Sequence, residues 1–68
     1  MNLTPSQIGM KLKRLRRVKK LSKYALAKQA GISAAYVAKL EAGRSDPTVG
    51  MLQKLAKALR VPVTRLLE

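Results

Sequence analysis

Residues 22–41 read SKYALAKQAGISAAYVAKLE and are the most informative stretch of the chain. A short apolar pattern at helical spacing ends at Gly31, and a second pattern begins directly after Ser33. Glycine fits the left-handed position just past a helix end, and serine is a preferred N-cap residue. The stretch therefore predicts two helices, residues 23–30 and 34–42, joined by a tight turn.

Further helices are predicted on both sides of this pair. Apolar residues at helical spacing indicate one helix over about residues 5–20 and another over about residues 49–59, and residues 63–67 allow a last short turn of helix. The predicted N-caps are Thr4, Ser22, Ser33 and Thr48. The apolar stripes of the two outer helices comprise Ile8, Leu12, Leu15 and Val18, and Val49, Leu52, Leu55, Ala56 and Leu59. No segment alternates with the period of a strand, so the predicted fold class is all-α, in one domain over residues 1–68.

The inventory of side chains disfavours an enzyme. The 68 residues include no cysteine, no histidine and only three acidic residues, Glu41, Asp46 and Glu68. Thiol chemistry and thiolate or imidazole metal sites are therefore excluded. Three scattered carboxylates are too few for a paired acid/base site or an oxygen-ligand metal site. We expect no enzymatic activity, no cofactor and no metal.

The charge of the chain indicates a polyanionic partner. Fifteen Lys and Arg residues give a formal net charge of +12, which favours nucleic acid or an anionic membrane surface. No apolar run approaches the length needed to span a bilayer, and the first residues lack the pattern of a secretion signal. Two helices joined by a glycine turn on so basic a domain favour helix-turn-helix binding of double-stranded DNA. We expect a cytoplasmic protein that binds DNA and no membrane.

Four segments resemble the lambda-repressor/Cro-like helix-turn-helix family, also called XRE. These are IGMKLKRLRRVKKLS, ALAKQAGIS, YVAKLEAGRSDP and LQKLAKALRVPVTRLL, which cover nearly the whole chain in order. The resemblance implies a compact five-helix lambda-repressor-like DNA-binding domain, a central helix-turn-helix at about residues 22–42, and dimeric binding to operator DNA. The chain departs from the family pattern at Lys23, where glutamine is common, and at Ala34 and Ala35, where polar base-reading residues are common. Arg60 stands where the family often has glycine, so there the chain either adopts a left-handed conformation or continues the helix.

The resemblance places the outward side of the second central helix against the DNA bases. The predicted base contacts are Ala34, Ala35, Tyr36 and Lys39. Alanine allows close approach to the major groove and its methyl group can touch a thymine methyl, whereas lysine can reach a guanine edge. The alternatives are that the alanines serve as good helix formers and that Tyr36 is a packing aromatic. The predicted contacts to the DNA backbone are Ser22, Lys23, Ser33, Arg44, Ser45, Arg17 and Lys20.

Glu41 is the one acidic residue in the first 45, and it points to a structural ion pair. On a helical wheel it lies beside Val37 at the edge of the inward face, where a carboxylate requires a partner. Arg16 borders Leu12 on the inner edge of the first helix, and the family commonly pairs Arg and Glu at these positions. We predict an Arg16–Glu41 ion pair between the two helices; the alternative is two solvated surface charges.

Two functions remain open from the sequence. The leading hypothesis is a transcriptional regulator, a repressor that binds a pseudo-palindromic operator as a homodimer through residues 34–42 in the major groove. The alternative is the antitoxin of a toxin–antitoxin pair, which also autoregulates by binding DNA and has a toxin as its protein partner. A non-specific binder of RNA or membranes is disfavoured because Tyr24 and Tyr36 are the only aromatic residues and supply a poor stacking platform. The predicted dimer interface comprises Val63, Leu66 and Leu67, with ordinary closure of the core as the alternative.

Overall fold

Five α-helices form the part of the chain, residues 3–68, that the computed structural model describes. They are α1 (Pro5–Val18), α2 (Lys23–Ala30), α3 (Ala34–Glu41), α4 (Val49–Leu59) and α5 (Thr64–Leu67). Residues 3–68 contain no strand, so the predicted all-α class and the five-helix architecture are confirmed. Helix α1 packs against α3 and α5, and α2 packs against both α3 and α4.

Each of the first four helices begins at the N-cap that the sequence predicts. The side-chain oxygen of the cap accepts a hydrogen bond from the backbone N–H three residues later, over 2.9 to 3.1 Å. These caps are Thr4, Ser22, Ser33 and Thr48. At α1 the Gln7 side chain also accepts from the Thr4 N–H at 2.9 Å, which completes a capping box.

The same four helices end in a common motif. A residue in the left-handed region follows each helix: Lys20 (φ 59°), Gly31 (φ 72°), Gly43 (φ 74°) and Arg60 (φ 58°). The next backbone N–H then donates to the carbonyl five residues earlier at 3.0 Å, which is the Schellman arrangement. This motif ends α1 at Val18, two residues before the predicted end. Of the two alternatives at Arg60, the chain adopts the left-handed conformation rather than continuing the helix.

All five helices contribute to one hydrophobic core. Its buried members are Ile8, Leu12, Leu15, Leu26, Ala27, Ala30, Val37, Leu40, Leu52, Leu55, Ala56, Leu59 and Leu66. Two residues of the predicted stripes lie outside it, because Val18 ends α1 and Val49 begins α4; their side chains are 68% and 70% exposed. Leu66 is fully buried inside the monomer, so it closes the core and is unavailable to a second subunit, contrary to its predicted place in a dimer interface. Val63 is half-buried against the core, and Leu67 is exposed.

Helices α1 and α3 approach each other closely enough to exclude a side chain between them. A Cβ atom on Gly9 would overlap the Leu40 carbonyl oxygen and lie 2.8 Å from the Glu41 carbonyl oxygen. Just past α3, a Cβ atom on Gly43 would lie 2.6 Å from the Ser6 Oγ and 2.8 Å from the Ser6 Cα. The backbone of α3 at Gly9, and that of the turn after α3 at Gly43, therefore rest directly on α1.

Candidate nucleic-acid interface

A buried ion pair fixes α3 against α1. The Arg16 Nε donates to Glu41 Oε2 at 2.6 Å, and the Arg16 Nη2 donates to Glu41 Oε1 at 3.0 Å. The two side chains are 10% and 4% exposed. This hydrogen bonding to the carboxylate raises the pKa of Arg16 above its ordinary value.

Arg16 also ties this pair to the turn that precedes α2. Its Nη1 donates to the Leu21 carbonyl oxygen at 2.8 Å. One guanidinium group thus joins α1, the α1–α2 turn and α3, with three donors used in a planar fork. The pair of central helices is therefore held in a fixed orientation by a residue outside it.

The outward face of α3 carries two exposed residues one helical turn apart. Ala35 and Lys39 are both exposed, and their spacing of four places them side by side on one face. Ala34 and Tyr36 are half-buried and pack against the core. Of the four predicted base-contact residues, α3 therefore presents Ala35 and Lys39 fully to solvent and the other two only in part.

The N-terminal ends of α2 and α3 carry the predicted backbone contacts that surround this face. Ser22 and Ser33 are exposed, and their hydroxyl oxygens already accept the capping bonds from Ala25 and Tyr36. Each hydroxyl keeps an O–H donor for a phosphate oxygen. Lys23, the first residue of α2, is exposed beside these donors.

The other predicted backbone contacts lie in the segments before α2 and after α3. Arg44 is exposed and Ser45 half-buried in the loop between α3 and α4. Arg17 and Lys20 are exposed near the end of α1, and the Lys20 N–H donates to the Arg17 carbonyl at 3.0 Å. These four residues therefore lie on the two chain segments that enter and leave the central helix pair.

Sequence reasoning missed two residues near this surface. Tyr24, the second residue of α2, is 73% exposed. Its position next to Lys23, a predicted contact to the DNA backbone, was the signal in the sequence that could have identified it. Gly9 determines how closely α1 meets α3, and no pattern in the sequence distinguishes it from an ordinary helix glycine. Tyrosine at a wet surface joins an apolar ring to a polar hydroxyl, which suits contact with a sugar–phosphate backbone.

Within residues 3–68, no group of three or more His, Cys, Asp or Glu side chains could hold a metal ion. None of the helices in this part of the chain is long and apolar enough to cross a membrane.

Comparison with known sequences identifies relatives over most of the chain. The family model described as Helix-turn-helix (HTH_3) matches residues 12–66. The chain is 41% identical over 63 residues to the uncharacterised HTH-type transcriptional regulator RghRB of Bacillus subtilis, covering 91% of this chain and 45% of that protein. It is 33% identical over 57 residues to the immunity repressor of Bacillus phage phi105, covering 84% and 40%. The chain thus spans less than half the length of these two relatives.

Solved structures share the fold. The restriction-modification controller protein C.AhdI from Aeromonas hydrophila superposes with a TM-score of 0.89 at 32% identity, over 91% of this chain and 94% of that one. The biofilm regulator SinR, solved in complex with DNA, superposes with a TM-score of 0.84 at 32% identity, over 90% and 98%.

Proposed function

The chain belongs to the lambda-repressor-like (XRE) helix-turn-helix family of DNA-binding transcription regulators, and from this premise we propose that it is a repressor that binds a pseudo-palindromic operator as a homodimer. Residues 1–68 act as a single domain, in the cytoplasm. Its relatives are regulators rather than enzymes, and we assign it no enzymatic activity.

The observation that carries this proposal is the exposed face of α3. Ala35 and Lys39 stand next to each other on a helix whose orientation the buried Arg16–Glu41 pair fixes. A helix presented in this way fits the major groove, which is about 12 Å wide. The short Ala35 side chain permits close approach to base edges, and Lys39 supplies a donor for a guanine edge or a phosphate.

The residues around α3 position the domain on the duplex. Ser22, Lys23 and Ser33 offer hydroxyl, ammonium and helix N-terminal N–H donors to phosphates on one side of the groove. Arg44 and Ser45 contact the DNA backbone from the loop after α3. Contacts of this kind fix register and orientation, whereas base contacts determine which sequence is bound.

Two features support dimerisation: the size of the domain and the apolar residues at its carboxyl end. One helix contacts only a few base pairs, so two domains related by a two-fold axis double the sequence that is read. Val63 and Leu67 keep apolar surface at the carboxyl end, where Leu67 is 45% exposed. The repressor role is supported by the similarity to the phage immunity repressor.

Selection from a random duplex library at about 150 mM salt tests the proposal, because non-specific charge contacts weaken at that ionic strength. We expect a two-fold-symmetric consensus whose half-sites lie about one duplex turn, roughly 34–36 Å, apart. Lys39→Ala should change the preferred base at one symmetric pair of positions, and the exposed control Lys13→Ala should not. Binding without any enriched sequence would contradict a sequence-specific repressor and favour a protein partner, as in a toxin–antitoxin pair.

A further inference from the structure

A second basic surface is the groove where α2 meets α4. It is lined by four exposed cationic side chains: Lys28 from α2, Lys54 and Lys57 from α4, and Arg60 directly after α4. The remaining lining residues are alanine, glycine and glutamine, and no acidic residue is among them in the described part of the chain. No lining residue of this groove belongs to α3 or to the predicted DNA contacts, so the groove is separate from the surface that α3 presents.

The basic surface continues to the end of α1. An adjoining groove shares Arg60 with the first and extends to Lys19, so the C-terminal ends of α1, α2 and α4 meet here. The dipole of each helix places about half a negative charge at its C-terminus, and nearby cations are stabilised by that charge. Five cations against three helix ends still leave a net charge of about +3.5. The dipoles therefore account for only part of this concentration of charge.

Arg60 adds a second, independent observation. Its φ of 58° lies in the left-handed region that favours glycine; Gly31 and Gly43 hold the equivalent positions after α2 and α3, and Lys20 holds the one after α1. At the end of α4 it keeps an arginine instead, at the junction of the two grooves. Residues held in unfavourable backbone conformations cluster at functional sites. The chain therefore keeps a cation here at a backbone position where glycine would be less strained.

The spacing of the cations fits a phosphate backbone. Lys54 and Lys57 lie three residues apart, about 4.5 Å along the axis of α4, and Arg60 follows three residues later at the C-cap. One strand of a duplex carries a phosphate about every 3.4 Å along its axis, so long cationic side chains at this spacing can reach neighbouring phosphates of one strand. No aromatic residue is among the lining residues that the structure describes, which disfavours stacking of single-stranded bases.

We propose that the α2–α4 groove binds the phosphate backbone of a second DNA segment while α3 holds the first. This activity lies beyond operator binding, because it allows one molecule to join two duplex segments. Lys54, Lys57 and Arg60 are its principal contacts, and Lys28 and Lys19 extend it on either side.

Titration of the ¹⁵N-labelled chain with a random-sequence duplex of about 15 base pairs, one and a half turns, tests this second site. We expect the amide resonances of α3 to shift first, and those of residues 28–31 and 54–61 to shift in a second, weaker phase. The triple variant Lys54→Gln, Lys57→Gln, Arg60→Gln should lose three phosphate contacts from the second phase. The slope of log K against log[salt] for this second phase should become shallower by about 2.7. Between 50 and 200 mM salt, the affinity of the parent should therefore fall by about 40-fold more than that of the variant.

A matched triple variant controls for net charge. Lys11→Gln, Lys13→Gln, Arg14→Gln removes the same three charges from α1, outside both grooves and outside the predicted DNA contacts. It should leave the second-phase salt slope within about one contact of the parent value. Equal losses in the two variants would mean that net charge rather than the groove binds DNA. Retained dispersion of the amide resonances verifies that each variant is folded.

Three further outcomes would overturn the proposal. Groove amides that shift together with those of α3 would make the groove part of one continuous DNA footprint. Groove amides that stay fixed would exclude DNA binding there. A shift with a deca-glutamate peptide but not with duplex would assign the groove to an acidic protein partner. If the amide resonances of α3 stay fixed while those of the groove shift, the proposed repressor function is contradicted, whereas DNA binding by the groove is supported.

Discussion

Removal of the Glu41 carboxylate by Glu41→Ala should cost this domain a large share of its stability. The carboxylate accepts two hydrogen bonds from Arg16, at 2.6 and 3.0 Å, and both side chains are at least nine-tenths buried. After truncation, the guanidinium keeps only its bond to the Leu21 carbonyl. Breaking a buried pair in this way costs about 3–5 kcal/mol, because one charge remains buried without its partner.

This loss is comparable with the whole free energy of unfolding. Globular domains have about 0.05–0.15 kcal/mol per residue, which gives about 3–10 kcal/mol for a chain of this length. For a small domain each kcal/mol lowers Tm by about 4–8 °C, so Glu41→Ala should lower Tm by at least about 12 °C. The exposed acid Asp46 provides the control, and Asp46→Ala should change stability by less than about 0.5 kcal/mol.

The assay is urea unfolding followed by far-ultraviolet circular dichroism on Glu41→Ala, on the single variants Arg16→Met and Glu41→Leu, and on the double variant that combines those two. Apolar replacement of both partners removes the unpaired charge, so the double variant should be markedly more stable than the sum of the single losses predicts. Additive losses, or a cost below about 1 kcal/mol for Glu41→Ala, would refute the interpretation that Arg16 is a buried charge dependent on Glu41.

The same pair predicts how stability responds to pH. Glu41 raises the pKa of Arg16 in the folded state. The contribution of charged Arg16 to the free energy of unfolding is therefore fully present below the pKa of arginine in the unfolded chain. It is lost only as the pH rises through the still higher folded pKa. Between about pH 6 and pH 9 the contribution of Arg16 to the free energy of unfolding should therefore stay constant. The measurement is the urea midpoint of the parent protein, and a midpoint that falls across this pH range would contradict the prediction.

The remaining predictions concern glycines, a strained arginine and two lysines. Gly9→Ala should destabilise the domain by several kcal/mol, on the order of an overpacked core, because its Cβ would overlap the backbone of α3. Gly50→Ala is the matched control, because a Cβ atom there would meet its nearest neighbour at 3.9 Å; it should stabilise α4 by about 0.5–1 kcal/mol. Equal effects of Gly9→Ala and Gly50→Ala on stability would exclude the close approach of α1 to α3. Arg60→Gly should raise stability by about 0.5–1 kcal/mol in urea unfolding, and a loss would show that its left-handed conformation carries no strain. Lys23→Ala should weaken binding to every duplex and reduce the salt slope by about one, whereas Lys39→Ala should change sequence preference; an unchanged slope would remove Lys23 from the contacts.

The helices and their boundaries were predictable because their signals are local. Ser22 and Ser33 cap the helices they precede, and Gly31 adopts the left-handed conformation that ends α2. Each of these signals acts within a few residues of sequence, so no knowledge of packing is needed to interpret it. The one boundary that was two residues off, the end of α1, is where Lys20 rather than glycine takes the left-handed position.

Features that depend on which helix covers which were harder to predict. Helical spacing shows that Val49 and Leu66 are apolar at regular positions, but not that the first is exposed and the second enclosed. The partnership of Arg16 with Glu41 could be inferred because a buried carboxylate needs a cation. The α2–α4 groove had no such signal, because Lys28 is distant in sequence from Lys54, Lys57 and Arg60 and joins them only when α2 packs on α4.

The direct backbone contact between α1 and α3 gives the domain a mechanical property. Layers of side chains can repack and let helices slide by an ångström or two, but at Gly9 and Gly43 no such layer separates α3 from its support. In the proposed complex with DNA, α3 therefore cannot change its tilt to suit an imperfect site. Adjustment would come from the Lys39 side chain or from bending of the DNA, so the stiffness of the duplex at bases the protein does not touch would become part of what this domain recognises.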